Sequence, residues 1–209
     1  DSIVEASIND GDEIVKLEAY ADRILQFKKE KMQLINISKE LEFLEDTFMH
    51  KGVSHPAATC KTDFGIAWVN RQGCYIYDGQ KITNLLEKQG RQIIKESDWE
   101  AFTTDNSMIG YLPKKRQLIV LDQMTSGNNG EIFLYDIVTQ SWVHSSVATF
   151  PDDQNMTNFI TDWNGDLVNV HTAGTVVKWA DAAAASSGMV MSTKDIDFGH
   201  PGQKKTVYK

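Results

Sequence analysis

Asp162, Asn164 and Asp166 set side-chain oxygens at alternate positions, the spacing with which a calcium loop begins. Such a loop also needs Gly at its sixth position and Glu at its twelfth. Counted from Asp162, those places hold Leu167 and Ala173, so the run reads as a hairpin turn centred on Asn164-Gly165. The five histidines (His50, His55, His144, His171, His200) stand singly. No His-x-His or His-x₃-His spacing pairs two of them as metal ligands. Asp152-Asp153 after Pro151 is read as an exposed acidic turn. A carboxylate pair for glycoside hydrolysis would have to be assembled from distant strands. Nucleophile-elbow, phosphate-loop and dinucleotide motifs are all missing. The sequence therefore assigns no catalytic, cofactor-binding or metal-binding residue, and no cofactor. Trp68, Trp142, Trp163 and Trp179 could form a sugar platform, but packing between sheets is the reading adopted for them. Cys60 and Cys74 are too few for a disulfide framework, and Cys74 reads as a small buried hydrophobe.

The elements that would position these residues are short strands. One pattern occurs four times: Met32 to Asn36, Cys74 to Asp78, Ile132 to Asp136 and Val176 to Ala180. Taking Ile35, Tyr77, Tyr135 and Trp179 as markers, the spacings are 42, 58 and 44 residues. Repeats of about 40–45 residues are the size of a four-stranded propeller blade. Around the markers the sequence predicts hairpins at 22–37 and 65–77, the first turning through Lys28 to Lys31 with Lys-Glu-Lys in solvent. A short outer strand follows at Lys81 to Leu85. Strands at 108–112, 117–121, 131–136 and 141–145 form a third unit, and 158–163, 167–171 and 175–179 a fourth. Glu96 to Phe102 reads as a helical turn with Ser97 as N-cap and Glu100 in the capping-box position. Together with a flexible loop over 122–130, that turn accounts for the long middle interval. A β-sandwich also spaces strands regularly and is the structural rival.

At 209 residues and net charge −8, the chain is long enough for a substantial core and carries no basic stripe to grip nucleic acid. Its acidic start, Asp1-Ser2-Ile3-Val4-Glu5, is unlike a secretory signal, and its apolar runs are far below membrane-span length. The missing initiator Met and the ending Val207-Tyr208-Lys209 suggest a segment of a longer polypeptide. Ala182 to Gly188 reads as a linker. The expected domains are 1–186, an all-β array of about four antiparallel blades, complete or the later part of a larger propeller, and 187–209, the start of a further β domain.

The segment Thr193-Lys194-Asp195-Ile196-Asp197-Phe198-Gly199-His200-Pro201-Gly202 and on to Lys205 resembles the exit from a propeller in structural proteins of tailed bacteriophages. Leu17 to Lys28, Phe64 to Val69 and Tyr77 to Ile82 resemble the same proteins, so the likeness spans about residues 15–209. It implies a non-enzymatic virion component of the tail or neck, assembled in the host cytoplasm. Its implied partners are copies of itself in a ring and neighbouring virion proteins, with DNA passing without specific binding and no membrane contact. The loop around Gly127 to Gly130 is expected to reach a neighbour. The alternatives are a cellular kelch-like or WD-like binding module, whose Gly-Gly and Trp-Asp signatures are missing, and a glycan-binding or glycan-cleaving propeller.

Overall fold

The computed structural model describes residues 10–122, 131–145, 159–170 and 176–179, with backbone alone at Val170 and Val177. The chain is all-β with one α-helix, and among the described residues its sheets form no closed barrel. It separates into two units, Asp1–Trp179 and Ala180–Lys209. The second unit lies outside the described residues, and with it the boundary expected at 186/187.

Four antiparallel sheets follow one another in the first unit. Sheet 1 is β1 (Ile14–Tyr20), β2 (Arg23–Lys28), β3 (Lys31–Asn36) and β4 (Phe43–Met49). Sheet 2 is β5 (Thr59–Thr62), β6 (Gly65–Asn70), β7 (Gly73–Tyr77) and β8 (Ile82–Asn84). A two-stranded ribbon, β9 (Glu87–Lys88) and β10 (Arg91–Gln92), and helix α1 (Glu96–Phe102) lead to sheet 3. That sheet is β11 (Met108–Leu112), β12 (Gln117–Leu121), β13 (Ile132–Asp136) and β14 (Ser141–Ser145). Sheet 4 has three described strands, β15 (Ile160–Thr161), β16 (Leu167–Val170) and β17 (Val176–Lys178). In each sheet the spatial order is the chain order, a meander, and the recurrent pattern of the sequence falls on the third strand every time.

The turn after that third strand has a chemical cause. Asn36 Oδ1 accepts from Ser38 N, Asp78 Oδ1 from Gln80 N and Lys81 N, and Asp136 Oδ1 from Val138 N and Thr139 N. An Asx side chain so placed satisfies backbone donors that leave the ladder and fixes the reversal.

Sheets pack face to face. Leu25, Phe27, Met32 and Leu34 on sheet 1 meet Trp68 and Tyr75 on sheet 2, with the Phe27 and Trp68 rings edge-on at 5.3 Å. The other side of sheet 2, with Ala67, Val69 and Cys74, meets Leu118, Val120 and Tyr135 of sheet 3. Leu112 and Ile119 on the far side of sheet 3 enclose Leu167 of sheet 4. First strands lie side by side, β11 being flanked by β5 and β15. Gly110 permits the close approach of Phe159 to sheet 3, since a Cβ there would lie 2.6 Å from the Phe159 side chain.

Several expectations change. Helix α1 starts at Glu96 with Lys95 as an N-cap that makes no side-chain bond, so Ser97 lies inside the helix and is not its cap. The first hairpin turns on Lys29 and Glu30 alone. Lys28 is buried and Lys31 half-buried, because Asp10 accepts both ammonium groups at 2.7 and 2.6 Å. Trp163 does not pack between sheets. It is 96% exposed at the β15–β16 turn, because the turn, and not a strand, holds it. The loop 123–130, Asp152-Asp153, His171, His200 and residues 187–209 lie outside the described residues.

Candidate functional site

Helix α1 places a groove beside sheet 3. Trp99 and Phe102, three residues apart on one helical face, are buried against Phe133 and Trp142. Ring centroids lie 4.7 Å apart for Phe102–Phe133 and 5.6 Å for Trp99–Trp142. Two hydrogen bonds lock the cluster: Trp99 Nε1 donates to Asn70 O at 2.9 Å, and Trp142 Nε1 to Leu85 O at 2.8 Å. Above it a groove of about 550 Å³ opens between Ile93, Ile94, Ala101, Phe102 and Phe133. His144 stacks on Phe133 at 4.5 Å and its Nε2 lies 3.2 Å from Glu131 Oε2. Lys95 and Asp98 complete the rim.

A second cleft, of about 640 Å³, lies where sheet 1 faces the outer strands of sheet 2. Lys51 enters it with Nζ 3.8 Å from the centre of the Tyr75 ring. Partial burial lowers the Lys51 pKa, and Glu87 opposes that shift. Tyr75 is itself pushed up to about 12, first by burial. Tyr75 and Tyr77 are both buried and the Lys51 ammonium covers the Tyr75 ring, so the cleft offers no flat aromatic platform to a sugar.

The third feature is the β15–β16 hairpin. Asp162 Oδ1 accepts from Asn164 N and Asp166 N at 2.9 and 2.8 Å, and Gly165 adopts φ +76°, which the turn requires. Asp162, Asn164 and Asp166 thus serve the turn, as their spacing against the calcium loop indicated. Asp166 is bridged by Lys114 and Lys178, both at 2.7 Å, and these two ammonium groups hold its carboxyl below the usual range. The turn Pro113–Lys115 abuts this hairpin, with Lys114 Cγ in contact range of Gly165. The result is a braced tip that projects Trp163 and is tied through Asp166 to Lys114 of the neighbouring turn.

The remaining titratable candidates serve local structure. His55 Nδ1 accepts from Ala57 N, capping the 3₁₀ turn Pro56–Ala58, and burial lowers its pKa. His50 closes the β4 turn with its N–H on Glu30 O at φ +61°. Burial raises the Cys60 thiol to about 12 and holds the Cys74 thiol well above its ordinary value, so neither is a thiolate nucleophile at neutral pH. Among the described residues no three His, Cys, Asp or Glu side chains gather as a metal site. Nor is any described helix long and apolar enough to cross a membrane. The groove and the exposed tryptophan escape sequence reading, since a helix-to-sheet gap and a turn side chain have no periodicity.

No protein-family model matches the chain, and no curated protein matches it. Among solved structures it is similar to the crystal structure of the computationally designed Ika4 protein, with a TM-score of 0.51. That likeness covers 86% of this chain and 97% of the other at 15% identity, and it concerns the fold alone.

Proposed function

We propose that this chain is a β-propeller segment of a tailed-phage tail or neck component, non-enzymatic, self-associating around the DNA-exit channel and touching other virion proteins. The observation that carries the propeller reading is the run of four consecutive meanders with adjacent first strands β5, β11 and β15. Radial packing of such sheets protects most of their edges, which an open meander leaves unpaired. The virion assignment rests on the sequence resemblance from Leu17 to Lys205. A surface role also fits the polar groups described above, which are engaged in turns, braces and ion pairs. The test is immunoelectron microscopy on particles from cells that make the protein. Antibodies against the chain are expected to decorate one end of the virion, at the neck or tail. Label confined to soluble host fractions, with bare particles, refutes the reading.

A further inference from the structure

The chain carries a knob and a groove of matching chemistry at different places. Trp163 is the knob: at 96% exposure it exceeds every other large apolar side chain described, the next being Leu41 at 77%. Exposed tryptophan is costly to keep in water, and here the turn holding it is braced by Asp162, Asp166, Lys114 and Lys178. Its backbone is therefore set before any partner arrives, which lowers the ordering cost of docking. Lys115 and Arg116 are exposed next to Lys114, whose ammonium reaches Asp166 of the same hairpin.

The groove between α1 and sheet 3 has an apolar floor of Phe102 and Phe133 and room for one large side chain. Its rim carries two carboxylates, Asp98 and Glu131, the latter paired with His144, together with the exposed Lys95. Either rim carboxylate can accept an indole N–H, a bond that a tryptophan needs when buried. The two surfaces sit at opposite ends of β11, which leaves the α1 end at Met108 and reaches the Pro113–Lys115 turn after Leu112.

We propose that Trp163 of one copy inserts into the α1–sheet 3 groove of a second copy, with Lys115 and Arg116 facing the Asp98 and Glu131 carboxylates of the rim. This deepens the self-association reading above and rests on it. Since different patches meet, the contact is heterologous and builds a closed ring or an open chain of copies, according to the rotation between them. Trp and Arg are the residue types that dominate protein interfaces, and complementary charge at the rim sets register.

The experiment is sedimentation analysis of the chain across protein and salt concentration. The wild type is expected to associate reversibly, more weakly at high salt. Trp163→Ala should weaken association by roughly 30-fold, as loss of an interface anchor does. Ala101→Arg, which plugs the groove from an exposed helix position, should act as strongly, and thermal melts verify that both variants remain folded. Mixed one to one, the two variants should recover a dimer and nothing larger, because only one intact knob and one intact groove can meet. Association unchanged in both variants overturns this contact and leaves self-association standing. A wild type that stays monomeric at every concentration overturns both.

Discussion

Replacing Gly110 by Ala tests whether sheet 4 is docked on sheet 3 as described. The new Cβ would lie 2.6–2.7 Å from Cβ, Cγ and Cδ2 of Phe159, closer than real carbon contacts, while the β11 ladder keeps all its partners. Overpacking of this kind costs about 1–3 kcal/mol. Against it stands the gain of about 0.5–1 kcal/mol from removing a glycine inside a strand. The balance is a loss of about 1–2 kcal/mol, a fall in Tm of roughly 2–8 °C for a chain of this size. Phe159→Ala alone loses the packing of a half-buried ring, about 2 kcal/mol. In the double variant the contacts with Cγ and Cδ2 vanish while the Cβ–Cβ contact stays, so the combined cost should fall short of the sum by about 0.5 kcal/mol or more. Urea denaturation of the four proteins gives this coupling. Additive costs, or a Gly110→Ala protein as stable as its parent, would refute the packing.

Three further outcomes follow from the same coordinates. Trp68 and Trp99 are both fully buried, yet Trp68 Nε1 has no hydrogen-bond partner while Trp99 Nε1 donates to Asn70. Trp99→Phe should therefore cost about 1 kcal/mol more than Trp68→Phe in urea melts, and the reverse order contradicts the assignment. Asp10, Asp166, Asp78 and Asp136 all have lowered pKa values. The leading causes are the ammonium groups of Lys28 and Lys114 for the first two and the backbone N–H groups of Lys81 and Thr139 for the others. Folded values below an unfolded value of about 3.9 give stability that is complete above that pH and lost as pH falls through the folded values. Tm should thus drop steeply below about pH 4, and less steeply in Asp166→Asn. Buried Cys74 should resist thiol alkylation at pH 8 in the folded protein, half-buried Cys60 with its raised pKa should react slowly, and both should react fully in denaturant, whereas rapid labelling of native Cys74 would contradict its burial.

Strands with clean alternation and firm turn residues were legible in the sequence. The pairs β2–β3, β6–β7 and β11–β12 and the second half of sheet 3 sit within a residue or so of the segments expected. Strands β1, β4 and β5 escaped notice for different reasons. β4 carries Phe43, Leu44, Glu45 and Asp46 in succession, and its pairing slips between Leu34 and Ile35, so its sequence has no period of two. β5 is Thr-Cys-Lys-Thr, four residues recognisable as a strand only through the β6 and β11 neighbours that cover it. β1 shows its apolar residues to solvent at Ile14 and Leu17, which inverts the usual signal. Trp99 was readable as helical, but not as the centre of an aromatic cluster, because Phe133 and Trp142 reach it from more than thirty residues away. The groove and the Trp163 knob are products of tertiary placement, and no local rule encodes either.

The markers on the third strands share a direction. Tyr77 joins the core toward sheet 1, Tyr135 the core toward sheet 2, and Trp179 packs against sheet 3, so each bulky side chain is aimed at the sheet that precedes it in the chain. That polarity matters on the ribosome. A polypeptide emerges from its N-terminus, and stretches fold as they become available. Each new meander leaves the exit tunnel carrying its anchor toward a surface that is already built. Growth of the array is then templated one step at a time, each meander closing the apolar face that the one before it left open.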